Sequence, residues 1–219
     1  MTIRLLLVLS YCWIGIPWAS YAQENTDFYQ KKYQSKNELG LRAGVNYSLS
    51  TVTNYYGNNS TPTTVLWGVR PKAGFYVGST YSRDLATDRI LFRFDATLQT
   101  RGAGSIDLSG KSVINARYYY LGLSPQIGLH ITPKLTLTTG LETNLLVAKQ
   151  MAWGSGSPFE LGTVLRATYA FGPFKAELGY VRAFNRYDQL VGSALYGGPF
   201  IFDFYNQNWQ VGLLYNWHP

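Results

Sequence analysis

Residues 39–49 read Leu-Gly-Leu-Arg-Ala-Gly-Val-Asn-Tyr-Ser-Leu, a stretch in which apolar residues alternate without a break with glycine or polar residues. Side chains of a β-strand point to opposite faces in turn, so this period of two predicts a strand with one apolar and one polar face. Arg42 falls on the polar face, between Leu41 and Ala43. A helix would instead repeat its apolar residues every three to four positions.

The same alternation recurs further along the chain, and together with the first stretch it predicts eight strands. The other segments are residues 72–82, 90–99, 121–131, 135–147, 161–171, 174–180 and 209–217. The connections between them are in turn long and tight. The long ones are 50–69, 102–112, 150–160 and 188–208, and the tight ones are 86–88, 132–134 and 172–173. All long connections thus lie at one end of a meander, which is typical of bacterial outer-membrane barrels. The predicted fold is an all-β, eight-stranded antiparallel up-and-down transmembrane β-barrel.

Alternation alone does not decide which face points into the barrel. A soluble lipocalin-like barrel would bury the apolar face, whereas a membrane barrel would turn it to lipid. The polar face is rich in glycine, which suits the narrow interior of an eight-stranded barrel. The apolar face ends in aromatic rings, as at the two membrane interfaces. We therefore expect the polar face inside, with a network of paired charges that plugs the lumen. The predicted members of this network are Arg42, Arg93, Asp95, Glu142, Arg166 and Glu177.

The N-terminal residues have the pattern of a secretory signal peptide. Arg4 precedes an apolar run, and Ser20-Tyr21-Ala22 forms a small-residue cleavage site. An uncleaved membrane anchor is the alternative. We predict a signal peptide at 1–22, a polar periplasmic tail at 23–37 and the barrel at 38–219. The only cysteine, Cys12, falls inside the signal, which excludes a disulfide scaffold.

Composition and charge restrict the partners. Charged residues make up 14% of the 219 residues, compared with about 25% in soluble domains. The net charge is +7. The connection 50–69 nevertheless contains no charged residue, so nucleic-acid binding is not expected. The partners expected instead are outer-membrane lipid and envelope or secretion proteins, in an oligomeric state that the sequence leaves open.

Catalytic and metal-binding patterns are not recognisable in the sequence. His130 and His218 are the only histidines, and no carboxylate–histidine cluster has the spacing of metal ligands. Lipid A deacylases of the outer leaflet pair a histidine with a serine two residues away. Thr132 takes that position after His130, but at the tight-turn end. We therefore predict no enzyme activity, no catalytic residue, no metal and no cofactor.

The long connections are rich in aromatic residues among Asn, Gly, Ser and Thr, a composition that forms contact surfaces. The predicted contact residues are Tyr55, Tyr56, Trp67, Trp153, Phe159 and Tyr196. The alternative is that these rings extend the strands above the membrane.

Several stretches resemble the small outer-membrane β-barrel domain of Bacteroidetes known as PorT-like. They are Leu39-Gly40-Leu41-Arg42-Ala43-Gly44-Val45-Asn46-Tyr47-Ser48, Lys72-Ala73-Gly74-Phe75-Tyr76-Val77-Gly78, Leu98-Gln99-Thr100-Arg101-Gly102-Ala103 and Tyr119-Tyr120-Leu121-Gly122-Leu123-Ser124-Pro125. The resemblance runs from about Leu39 to the C-terminus. It implies a location in the outer membrane and, for some members, assistance to protein secretion.

These observations predict a non-enzymatic outer-membrane barrel with a plugged lumen. It would act through its loops or its periplasmic rim, in envelope maintenance, adhesion or secretion. Three alternatives remain: a lipid-modifying enzyme of the outer leaflet, a soluble lipid-carrying barrel, and a gated polar path for protons or small ions.

Overall fold

The structure, a computed structural model, describes residues 37–56, 68–85, 89–106, 112–150, 157–194 and 198–217. Ten strands are formed by these residues. They are β1 (Asn37–Tyr56), β2 (Gly68–Arg70), β3 (Lys72–Asp84), β4 (Ile90–Ile106), β5 (Ser112–His130), β6 (Leu135–Gln150), β7 (Phe159–Phe171), β8 (Phe174–Ala183), β9 (Asp188–Ala194) and β10 (Gly198–Trp217). No described segment is a helix long and apolar enough to cross a membrane.

The ten strands form a closed barrel of eight positions. We call each position a stave; it holds one strand, or two strands that follow each other along the same neighbour. Each strand pairs antiparallel with its neighbour in the order β1-β3-β4-β5-β6-β7-β8-β10, and β10 pairs back with β1. β2 continues the stave of β3 along β4, and β9 continues the stave of β8 along β10. Closure gives every stave two neighbours, which removes the unpaired sheet edge that lipid would not tolerate.

The apolar face points outward. Leu41 is 68% exposed and Leu213 is 53% exposed, whereas Arg42, between Leu41 and Ala43, is 2% exposed. Exposed leucine, isoleucine and valine side chains form a belt around the barrel, for example Val45, Leu121, Ile127, Leu141 and Val211. An inside-out soluble barrel would bury these side chains, so the lipocalin-like alternative does not describe this fold.

Aromatic rings border the apolar belt at both ends. At the tight-turn end, Phe174 lies 6.2 Å from Phe171 and 5.4 Å from Tyr215, measured between ring centroids. At the other end, Tyr180 and Trp209 lie 4.9 Å apart. Rings at two levels resemble the aromatic girdles of membrane barrels.

The strands extend further than their sequence pattern indicates. The segment 102–112 was expected to be a connection, but β4 continues to Ile106 and β5 begins at Ser112. The segment 188–208 was expected to be a loop, but β9 and the first half of β10 form a ladder there. Small and polar residues predominate in 102–105 and 188–194 and hide the period of two there.

Pro125 has no N–H to donate to the ladder, so a bulge or a bend is expected at this position of β5. The β5–β6 ladder is interrupted there without a change of register, since its pairs stop at Leu123↔Thr143 and resume at Gln126↔Gly140. The Ser124 hydroxyl donates to the carbonyl of Leu141 at 2.9 Å and supplies a cross-strand bond beside the proline, which has no N–H.

Candidate functional site

Five charged side chains meet in the barrel interior from β1, β4, β7 and β8. Each of them is at most 3% exposed. We call this group the lower ion cluster; its members are Arg42, Arg93, Asp95, Arg166 and Glu177. Their positions on the polar face of alternating strands bring them together inside the barrel.

Glu177 is the centre of the lower ion cluster. Its two oxygens accept from Arg93 Nη2 and Arg166 Nη1, each at 2.6 Å. Arg42 also pairs with Glu177, and the Tyr76 hydroxyl donates to it at 3.1 Å. The carboxylate is therefore surrounded by donors on all sides.

Asp95 holds the other side of the lower ion cluster. Its oxygens accept from Arg42 Nη1 at 2.6 Å and from Arg93 Nε at 2.8 Å. Gln126 Nε2 adds a third donor at 2.8 Å. Since Arg93 lies on β4 and Glu177 on β8, four staves apart in a barrel of eight, the Arg93–Glu177 bond joins opposite walls.

A second group lies nearer the long-connection end. Arg101 bonds Glu142 and Glu160 through its two terminal nitrogens. Asn144 Nδ2 donates to both carboxylates, at 3.0 Å to Glu142 and 3.1 Å to Glu160, and Asn206 also donates to Glu160. We call Arg101, Glu142 and Glu160 the upper ion cluster.

The two clusters balance each other in charge. The lower ion cluster has three guanidinium groups and two carboxylates, and the upper one has one guanidinium group and two carboxylates. Together they hold four charges of each sign. Buried charge is tolerated only when it is paired, and each of these charges has a partner of opposite sign in a lumen with little access to solvent.

Three tyrosines close the interior above the upper ion cluster. We call Tyr118, Tyr120 and Tyr187 the tyrosine cap. Tyr118 and Tyr187 are 5.1 Å apart between ring centroids, and Tyr118 donates to Asp188 Oδ2 at 2.6 Å. Tyr187 follows β8, and its hydroxyl lies 2.8 Å from Ser50 Oγ. Burial raises the pKa of Tyr187 far above that of a free tyrosine, so its hydroxyl keeps its proton.

All six predicted network residues lie in the interior, but they do not form one network. Glu142 bonds Arg101 and no member of the lower ion cluster. Arg101 and Glu160 were missed because both fall at predicted strand–connection boundaries. Their parity could have revealed them: Arg101 is in phase with Arg93 and Asp95, and Glu160 with Arg166.

The predicted loop contact residues have different positions. Tyr55 and Tyr56 are the last residues of β1 and pair with Ile201 and Phe200 of β10, so they are strand residues rather than loop residues. Phe159 begins β7 and is 44% exposed. Trp67, Trp153 and Tyr196 lie outside the described residues, as do His218 and the predicted signal peptide.

His130 is held at the tight-turn end. Its Nδ1 lies 2.9 Å from Thr136 Oγ1 and its Nε2 lies 3.1 Å from Asp84 Oδ1. The Thr132 hydroxyl accepts from the backbone N–H groups of Lys134 and Leu135 and so stabilises the turn. Within the described part of the chain, no group of three or more His, Cys, Asp or Glu could hold a metal ion.

A solved structure with this architecture is that of an outer-membrane protein. The outer membrane protein OprG from Pseudomonas aeruginosa has a TM-score of 0.50 at 12% identity, over 85% of this chain and 98% of that one. The fold is that of a bacterial outer-membrane β-barrel. The predicted eight-stranded antiparallel barrel is thereby confirmed, and the apolar belt agrees with the predicted location, the bacterial outer membrane.

Two further structures are similar at lower scores. Neisserial surface protein A gives a TM-score of 0.45 at 10% identity, over 84% of this chain and 99% of that one. The outer membrane protein AlkL gives 0.43 at 13% identity, over 86% and 94%. No protein-family model and no curated protein sequence matches the chain.

Proposed function

We propose that the protein is a non-enzymatic outer-membrane barrel whose lumen is plugged and which acts through its two ends. The observation that carries the proposal is the Arg93–Glu177 bond of 2.6 Å, which joins opposite staves. The upper ion cluster and the tyrosine cap add two more layers above it. Water-filled channels are found in barrels of about 16 strands, so an eight-stave barrel with these contents does not conduct solutes in bulk.

Planar-bilayer recording tests the plugged lumen. The purified protein, inserted with its long-connection end facing one chamber, is expected to give no steady open level in concentrated potassium chloride. A porin in the same bilayer serves as the positive control, and heat-denatured protein as the negative one. A stable, selective open level would contradict the plug and favour the gated polar path for protons or small ions.

The absence of enzyme activity is part of the same proposal. His130 bonds Asp84 and Thr136, yet this group lies at the tight-turn end, away from the outer leaflet. Outer-leaflet lipid extracted from cells with and without the protein is therefore expected to have the same mass spectrum. The loss of an acyl chain, abolished by His130→Asn, would replace the proposal with the lipid-modifying enzyme.

The partners would contact one of the two rims. Resemblance to PorT-like domains favours an accessory role in secretion, for which the periplasmic rim is the expected contact. A photo-crosslinking amino acid at Lys134, in a tight turn, samples that rim, and one at Phe159 samples the opposite end. Secretion proteins captured only at Lys134 would support this role. Capture of envelope or host-surface proteins only at Phe159 would favour adhesion, and capture of lipid alone at both would contradict the secretion role.

A further inference from the structure

The outer face of β5 changes character toward the long-connection end. Leu121 is an exposed apolar residue, Tyr119 is half-buried, and Arg117 and Asn115 come next on the same face. Alternate residues of a strand share a face, so these four lie in one outward row. The sequence from apolar to aromatic to charged follows the depth profile of one bilayer leaflet, from acyl chains to headgroups. Arg117 is therefore at the height of the lipid headgroups.

Two more cations reach the same place. The Lys72 side chain crosses β4 over Gly102, and its Nζ donates to Asn115 Oδ1 and to the carbonyl of Ala116, the latter at 3.1 Å. The Lys72 Cδ lies 2.6 Å from the position that a Cβ on residue 102 would take, so this crossing requires glycine there. Gly102 pairs in register with Arg117.

Arg70 completes the group. It is exposed and pairs in register with Gly104, which in turn pairs with Asn115, the residue that Lys72 contacts. We call Arg70, Lys72 and Arg117 the outer basic cluster. It occupies a small area of the wall where β2, β3, β4 and β5 adjoin.

No carboxylate neutralises the outer basic cluster among the residues that the structure describes, since none of its three members forms an ion pair there. The described carboxylates nearest this end of the barrel, Glu160, Asp188 and Asp203, are buried. Three cations side by side repel one another, and an anion between them removes this repulsion.

We propose that the outer basic cluster binds the phosphate groups of a lipid in the outer leaflet, with the acyl chains lying along the apolar belt below. The guanidinium groups of Arg70 and Arg117 can each bind a phosphate through two parallel hydrogen bonds, and Lys72 adds a charge held in place by Asn115. This binding site goes beyond the proposed function, because it holds whether the barrel serves adhesion, secretion or envelope maintenance.

Native mass spectrometry of the full barrel in neutral detergent tests the site, with bisphosphorylated lipid A as the probe. The wild-type protein is expected to retain lipid A and to lose it when the phosphates are removed enzymatically. One basic residue near an anionic lipid surface contributes a factor of roughly five in affinity. The variant Arg70→Gln/Arg117→Gln should therefore bind about 25-fold more weakly, and the addition of Lys72→Gln should take the loss to the order of 100-fold. Lys72→Arg should bind as the wild type does.

The matched control removes the same charge from the tight-turn end. Arg83, Arg89 and Lys134 are exposed, and Arg83→Gln/Arg89→Gln/Lys134→Gln should leave lipid A binding unchanged. Folding of each variant is checked by its shift in gel mobility on heating, and the double variant suffices if the triple one does not fold.

Equal binding of dephosphorylated lipid A, or equal losses in the control, would overturn the proposal. Binding of inorganic phosphate at low-millimolar concentration by a protein that retains no lipid A would assign the cluster to a soluble anion and also overturn the proposal.

Discussion

At the residue scale, Glu177 shows how the interior tolerates its charge. Three arginines and one tyrosine donate to this single carboxylate. Because the site is sealed from solvent, each charge there depends on its partners rather than on water. The loss of one charge therefore affects several groups, since each of the two carboxylates is a counterion of more than one arginine.

Glu177→Gln should lower the free energy of unfolding by about 3–5 kcal/mol, because it leaves three buried guanidinium groups with Asp95 as their only counterion. The matched control is Glu38→Gln, which removes a partly exposed pair with Lys175 and should cost about 0–1 kcal/mol. Urea unfolding of the refolded barrel, followed by tryptophan fluorescence, measures both. Equal losses in the two variants would show that burial does not set the strength of these pairs.

A set of variants of the upper ion cluster separates the stability lost through an unpaired charge from the stability lost through changed packing. Arg101→Met leaves Glu142 and Glu160 buried without their counterion, and the expected loss is again about 3–5 kcal/mol. Removing all three charges, as Arg101→Met/Glu142→Gln/Glu160→Gln, should restore at least half of the lost stability, since no charge is then unpaired. A triple variant less stable than Arg101→Met alone would mean that the unpaired carboxylates are not the cause of the loss.

At the element scale, each spanning strand carries two different surfaces because its side chains alternate. β6 shows this clearly: Leu137, Leu141, Leu145 and Val147 are exposed, while Thr138, Glu142 and Asn144 are buried. Leu146 pairs with Tyr120 of β5 and Ala148 pairs with Tyr119, so the register shifts here and Val147 has no partner on β5. The position along β6 therefore determines how deep an outward residue lies in the bilayer.

This depth predicts the effect of one charge at two positions of β6. Leu141→Arg, near the middle of the belt, should cost about 2–4 kcal/mol, whereas Val147→Arg, near the aromatic level, should cost about 0–1 kcal/mol. The measurement is unfolding in lipid vesicles rather than in detergent, because only a bilayer fixes the depth. Similar costs at both positions would contradict the assignment of the belt to the acyl-chain region.

At the scale of the whole molecule, the sequence pattern predicted both the barrel and the face that points outward. Alternation put Leu41 and Arg42 on opposite faces, because a strand alternates in a way that no neighbouring element alters. The glycine-rich polar face and the aromatic ends of the apolar face then identified Arg42 as the inward residue. The pattern could not predict which interior charges meet. Staves in a barrel tilt and are staggered, so counting residues from the turns does not show which side chains of different staves become neighbours. The partner of Glu142, Arg101, comes from β4 by this stagger.

The direction of the barrel in the envelope is the remaining property of the whole molecule, and cysteine labelling tests it. The sequence contains a single cysteine, Cys12, within the predicted signal peptide, so one introduced thiol reports on one end. Arg186→Cys lies between β8 and β9 at the long-connection end, and Lys134→Cys lies in a tight turn. In intact cells a membrane-impermeant maleimide should label the first and not the second, because long connections of such barrels are external and tight turns periplasmic. Lys134→Cys should become labelled once the outer membrane is permeabilised, which controls for its reactivity. Labelling of Lys134→Cys alone in intact cells would mean that the barrel is inserted the other way round, and the outer basic cluster would then face the inner leaflet.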